Sequence, residues 1–286
     1  MQTIKWTFST LLCVGLTQFV SCTKNIDNVT NDSISTETSE DLTFPVTNEF
    51  NNCRLRRIYH DLMFYSNYPF DTVPVYGLFS YNSAGNPYSL VFRQPGTNNV
   101  FADAPSYFFF YDNQQRLIEF RQTKDEGATI STFHRYGYTS GSNRIATDTF
   151  INPDNNNGGS IYVSTFTYDS QGRIIKENIR NLKNEDYPLL PERNPTFTYD
   201  LRGNLGVTGW KSSSYDNKVS IFRSHPIFQF IHRNYSRNNA SPQPRYNSKG
   251  LPLSAQPLND TFFSAYYPDS DFRSVGGIIK AIYDCQ

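Results

Sequence analysis

The sequence carries no excess charge of either sign. Lys and Arg together number 26, Asp and Glu together number 26, and the net charge is zero. A nucleic-acid binder shows a basic bias that neutralises phosphates, so nothing here points to a nucleic-acid partner. Methionine is scarce, with 2 residues in the whole chain. The sequence has no Gly-x-Ser-x-Gly, no phosphate-binding glycine loop, no His-Glu-x-x-His and no Cys-x-x-Cys. Those absences remove the familiar signatures of hydrolase elbows, nucleotide binding and zinc sites, and no cofactor is implied. The four histidines are His60, His134, His225 and His232. The last two could share a helix face, yet no carboxylate stands at a ligand spacing between them, so all four read as ordinary surface or core residues. Beyond the first twenty or so residues, no apolar run is long enough to span a bilayer.

The first residues read as an export signal. Lys5 supplies positive charge, and Trp6 to Val20 is an apolar run too short and lightly flanked for a stable span. It ends in "QFVSC", where Ser21 before Cys22 resembles a bacterial lipobox. That resemblance implies that residues 1–21 are a lipoprotein signal peptide and that Cys22 carries the lipid. Phe19 stands where the motif usually has Leu. Residues 22–48 follow as a polar tether, rich in Thr, Ser, Asn, Asp and Glu, and too poor in apolar surface to offset ordering entropy. The expected location is the cell envelope, at the outer membrane, with the membrane as partner through the lipid.

The remaining cysteines, Cys53 and Cys285, stand at the two ends of residues 49–286. In an oxidising compartment a bridge between them is expected.

Aromatics make up 16% of residues, with 23 Phe and 20 Tyr, which favours strands. They fall into a repeat. "FTYDSQGRIIKE" from Phe166 has relatives in "FSYNSAGNPYSL" from Phe79, "FFYDNQQRLIEF" from Phe109 and "FTYDLRGNLGVT" from Phe197. The Tyr-Asp or Tyr-Asn pairs are Tyr81-Asn82, Tyr111-Asp112, Tyr168-Asp169, Tyr199-Asp200 and Tyr246-Asn247, with "YGYTSGSNRIA" filling the gap at Tyr138. Self-similarity at about thirty residues indicates a repeat architecture. Within a unit, Phe and Tyr alternate with polar residues as on a strand with one buried face. Asp169 can accept a backbone N–H two residues on, and Gly172 supplies a positive φ. Each unit is therefore predicted to be a β-hairpin, with Gly85, Gly203 and Gly250 matching Gly172. Gln115 and Asn143 stand in for the glycine in the other two, and the Gln115 hairpin should be the least ideal.

Looser connections, such as 122–128, 152–160 and 181–195, alternate with these tight turns. The predicted fold is all-β: an antiparallel up-and-down meander of hairpins forming a long, curled or partly closed sheet. The pattern weakens after Trp210, and "SHPIFQFIHRNYSRNN" predicts a short helical or irregular insert near 224–236. The tail "GGIIKAIYDCQ" predicts a last strand.

"YDSQGRI" and "YDNQQRL" resemble the YD repeats of RHS-type proteins. With the lipobox and tether, the chain is also similar to Bacteroidota lipoproteins that carry YD-like hairpins. The resemblance implies an antiparallel β-sheet fold and an envelope location, and no particular activity.

Chemistry is thin. "PDNNNGG" from Pro153 has the oxygen-rich look of a calcium loop, but its twelfth position is Thr165, so it reads as a solvated turn. Asp125, Glu126, Glu185 and Asp186 lie in loops where a glycan-active hydrolase would place its acids. The favoured reading is a non-catalytic binding or scaffold module for a glycan or a protein, with Trp210 as the candidate aromatic contact. A purely structural surface component is the third possibility. "DSI" and "DTV" make Ser33 and Thr72 candidate O-glycosylation sites.

Overall fold

A computed structural model describes residues 53–64, 71–97, 99–100, 105–124, 129–153, 159–184, 192–206, 215–240, 245–255 and 279–285. Nine successive strands form an unbroken antiparallel meander. They are β1 (Cys53–Phe64), β2 (Asp71–Tyr81), β3 (Pro87–Arg93), β4 (Ser106–Tyr111), β5 (Leu117–Lys124), β6 (Thr129–Tyr138), β7 (Ile145–Asn152), β8 (Ser160–Tyr168) and β9 (Ile174–Asn184). A two-residue hairpin follows, β10 (Thr198–Tyr199) and β11 (Leu205–Gly206). Then come a 3-10 turn (Ile221–Ser224), helix α1 (Pro226–Ile231), β12 (Ser254–Ala255) and β13 (Ile279–Cys285). The main sheet has eleven strands in the order β12-β13-β1-β2 through β9, so its strand ladder is open, with β12 and β9 at the edges. The helix falls inside the predicted insert, and the 3-10 turn leads into it.

The hairpin chemistry is as local as the sequence suggests. In the Tyr168 turn, Asp169 N–H donates to the Arg173 carbonyl and Gly172 N–H to the Asp169 carbonyl, both at 3.0 Å. Gly172 has φ +76°, a conformation that costs an L side chain roughly 1–2 kcal/mol. Gln115 takes the same conformation at φ +61° without being glycine. In the Tyr138 hairpin the expectation was different: Gly141, not Asn143, holds the positive φ, at +73°. That hairpin is one residue longer, with Tyr138 opposite Ile145 where Tyr168 is opposite Ile174, so the left-handed position falls earlier.

Each motif tyrosine ties its hairpin to the one before. The Tyr81, Tyr111, Tyr138 and Tyr168 hydroxyls donate to the carbonyls of Leu55, Pro87, Leu117 and Ile145 at 2.6–2.8 Å. Tyr199 reaches Ile174, Tyr215 reaches Leu205 and Tyr283 reaches Pro252. Tyr246 donates to the Asp216 carboxylate. The accepting carbonyls at 87, 117, 145, 174, 205 and 252 belong to the residues paired across each turn with the preceding tyrosine. Tyr283 is paired with Leu55, where the series began. The hairpin rim is thus a closed circuit of phenol hydrogen bonds, although the strand ladder is open.

The sheet is curled around α1. Six strand spacings separate β2 from β8, roughly 29 Å in a flat sheet, while a six-residue helix is only about 9 Å long. Yet Phe228 packs 5.3 Å from Phe79 on β2, and Phe230 packs 5.3 Å from Phe166 on β8. Both helix phenylalanines are buried, as are Phe109, Leu90 and Ile174 from the same face.

Where regular strands give out after β11, buried asparagine amides take over. Asn204 and Asn238 exchange bonds at 2.8 and 3.1 Å, and Asn239 bonds the Val219 carbonyl and the Ile221 N–H. At the other end Cys53 and Cys285 form a disulfide across the β1–β13 register.

Candidate functional site

The repeat acids are engaged by their own turns. Asp169 Oδ1 accepts from the N–H groups of Gln171 and Arg173, both at 2.9 Å, and Oδ2 accepts from Arg173 Nε at 2.7 Å. Asp112 repeats this with Gln114 and Arg116. Asp200 accepts from the N–H groups of Arg202 and Asn204. In the Asn variants, Asn82 Oδ1 accepts from Asn86 N–H, and Asn247 Oδ1 from Lys249 and Leu251. Burial raises the Asp169 pKa, but the Arg173 backbone and guanidinium outweigh it and hold the carboxyl below the usual range. The arginines do a second job. Arg173 lies 4.1 Å over the Tyr199 ring and Arg116 lies 4.6 Å over Tyr138, each capping the next unit's tyrosine. The arginine at the sixth motif position, visible in "YDSQGR" and "YDNQQR", was the signal for this link.

A buried ionic cluster went unrecognised in the sequence. Arg233 Nη2 lies 2.8 Å from Asp148 on β7 and 3.4 Å from Glu177 on β9. His134 on β6 lies 2.8 Å from the other Asp148 oxygen. The carboxylate side chains are 1% exposed and the Arg233 side chain 4%. Burial pushes the Asp148 pKa up, and His134 and Arg233 more than reverse that, so it stays an ionised carboxylate. Arg233 also lies over the rings of Phe166 and Phe230. It ends α1 in a Schellman arrangement: Asn234 N–H bonds Gln229 and Arg233 N–H bonds Phe230. The left-handed position there is usually glycine, and Arg233 occupies it at φ +50°. Strain of roughly 1–2 kcal/mol is accepted so that a guanidinium can reach two buried acids. These four residues come from segments a hundred positions apart, and no local motif announces them. The cluster joins helix to sheet, and its two carboxylates are closed to substrate.

Among the described residues, a cavity of about 330 Å³ opens at the hairpin rim. Its walls are Leu117, Ile145, Ile227 and Phe230, with Tyr138. Its mouth carries the amides of Asn86, Gln114, Gln115 and Asn143. Three turns and α1 therefore meet there. Gln115 Oε1 accepts weak bonds from Asn82 and Asn86 at 3.3 and 3.4 Å, which ties two turns together. His225 flanks the cavity and accepts from Ile227 N–H at 3.3 Å. Burial, then the Arg54 charge, pushes its pKa down to about 3, so it remains a neutral acceptor.

Among the described residues, no group of three or more His, Cys, Asp or Glu is placed to hold a metal ion. Cys22, Ser33, Trp210, Asp125, Glu126, Glu185, Asp186 and the 154–158 loop lie outside the described residues. Thr72 lies in β2, with its side chain outside them.

No family model and no curated protein matches the sequence. Among solved structures the chain is similar to TcdB2–TccC3 with Cdc42, at 15% identity and a TM-score of 0.29, over 65% of this chain and 9% of that one. TcdB2–TccC3 alone gives the same identity and score over 64% and 9%. So does a Photorhabdus luminescens Tc holotoxin pore with a substituted TccC3. The chain thus spans under a tenth of the length of the chains it matches.

Proposed function

We propose that this chain is an exported lipoprotein of the cell envelope, held at the outer membrane through Cys22, whose residues 49–286 form a non-catalytic module that binds a glycan or protein partner. Residues 1–21 are its signal peptide and 22–48 its tether. The observation that carries the binding role is the rim cavity: it is the place where three turns converge on an apolar floor, and polar groups fringe its mouth. The best-buried acids, Asp148 and Glu177, are neutralised by Arg233, which favours binding over hydrolysis. The Cys53–Cys285 bridge suits an oxidising compartment.

Metabolic labelling with an alkynyl fatty acid tests the anchor. Wild type is expected to label and Cys22→Ala to lose the label. Equal labelling of both would remove the lipoprotein assignment. A glycan array and a pull-down with the exported mature protein test the binding role, and silence in both would remove that.

A further inference from the structure

We infer that the rim cavity is a seat for a neutral hexose unit, either free or at the end of a glycan. The inference rests on the binding role above and names its ligand. The cavity volume, about 330 Å³, lies at the lower end of small-molecule pockets. That capacity favours a compact ring over an extended peptide.

Its chemistry is divided in the way a sugar ring is divided. A pyranose has an apolar C–H face and a girdle of hydroxyls. Here Leu117, Ile145, Ile227 and Phe230 supply an apolar floor, and the Tyr138 ring adds an aromatic wall. The mouth supplies side-chain amides, each able to donate and accept. Gln114 and Asn143 have no side-chain partner among the described residues, so their amides can serve a ligand's hydroxyls. Gln115 has its oxygen occupied by Asn82 and Asn86, which leaves its NH₂ as a donor.

The charge that borders the seat is already balanced. The cation at the mouth, Arg116, is held at 2.7 Å by Asp112 and stacked over Tyr138. His225 is neutral above its pKa of about 3. A charged ligand would meet no unspent countercharge and would be desolvated at a cost. A wholly apolar ligand would strip water from the amides without replacing their bonds.

The backbone adds an independent indication. Among the rim turns with a residue at positive φ, the one built on Gln115 uses a residue other than glycine there, and it borders the cavity. A glycine would relax the backbone and lose the amide. Strain kept at a concave, polar-fringed place is a pointer to function.

Saturation-transfer NMR tests this on the full disulfide-bonded chain. The free probes are methyl glucoside, methyl mannoside and methyl galactoside; a neutral polysaccharide retention assay reports on glycan ends, and glucuronic acid is the charged control. At least one neutral hexoside is expected to show ring-proton saturation, and glucuronic acid none. Asn143→Trp fills the mouth by replacing a partly exposed side chain that has no partner to lose, so it should fold with an unchanged melting temperature. It is expected to weaken the signal at least tenfold, with Gln114→Ala giving a smaller loss. Retention of polysaccharide with no free-hexoside signal assigns the seat to glycan ends, still within the inference. Binding undiminished in a folded Asn143→Trp would overturn the seat while leaving the binding role intact. Stronger saturation of glucuronic acid would overturn the ligand class. No saturation and no retention with any neutral sugar would overturn the inference, and the array and pull-down would then decide the binding role separately.

Discussion

Arg233→Leu is expected to destabilise the protein by about 3–5 kcal/mol, because it leaves the Asp148 and Glu177 carboxylates buried without their shared cation. Leucine fills comparable space and bears the same backbone strain, so the loss combines the charge with the Arg233 Nη1 bond to the Phe230 carbonyl and the stacking over Phe166 and Phe230. The pH dependence gives a second reading. In wild type the Asp148 pKa is held below its ordinary value. The unfolded chain then binds more protons, and stability is lost as pH falls through the depressed value. Without Arg233, His134 alone opposes burial, so the Asp148 pKa lies above its wild-type value. The variant should therefore lose less stability than wild type as the pH falls and Asp148 protonates. Urea unfolding between pH 7 and 4 checks both. Adding Asp148→Asn and Glu177→Gln to Arg233→Leu should recover part of the loss, which a purely steric role for Arg233 would not produce.

Removing the bridge should cost as much or more. The disulfide closes a loop with a sequence separation of 232. In the chain-entropy model a loop of that length constrains the unfolded state by about 5 kcal/mol. Cys53→Ala with Cys285→Ala is expected to lose about 4–5 kcal/mol against the oxidised protein, and the reduced wild type a similar amount. The consequence is local as well. β13 supplies Tyr283, which closes the rim circuit between Pro252 and the Leu55 row. Hydrogen exchange should show β13 amides losing protection first.

Much of the fold was legible because its determinants are short-range. Turn chemistry spans five residues, strand alternation two, and the repeat announces itself by recurrence. The up-and-down meander of hairpins follows from those alone. The position of Gly141 was missed because one extra residue in the Tyr138 turn shifts the left-handed site away from the motif glycine position. The insert near 224–236 was recognisable from Pro226 and its phenylalanines. Its destination was not, because Phe228 and Phe230 meet partners on β2 and β8 that only a curled sheet brings together. The site was less legible. Asp148, Glu177, His134 and Arg233 carry no shared motif. Trp210 and the loop acids drew attention by residue type, whereas the rim cavity is lined by turn residues whose grouping depends on the tyrosine circuit. The arginine that pairs with its own turn acid and caps the next tyrosine was written in the repeat, but its role needs the register of neighbouring units.

The geometry also resets the energetics of the repeat. From sequence, Asp169→Asn keeps the acceptor oxygen and should shift stability by under about 0.5 kcal/mol, less than Gly172→Val. The Arg173 contact changes that. Asparagine would present an NH₂ to a guanidinium that is itself fixed over Tyr199, so a loss of about 1–2 kcal/mol is expected. A Cβ on Gly172 meets nothing nearer than 3.7 Å, so the backbone strain, also about 1–2 kcal/mol, is the main cost of valine there.

Tyr-Asp in this chain is turn and rim structure, and we propose that any ligand binds beside it at the cavity. The most direct measurement is urea unfolding and hexoside saturation transfer on Asp169→Asn and wild type together, since Asp169 is not among the residues lining the cavity. A stability loss of about 1–2 kcal/mol is expected, with the hexoside signal unchanged under native conditions. Unchanged stability with the signal abolished would contradict it and make the repeat acid a binding residue.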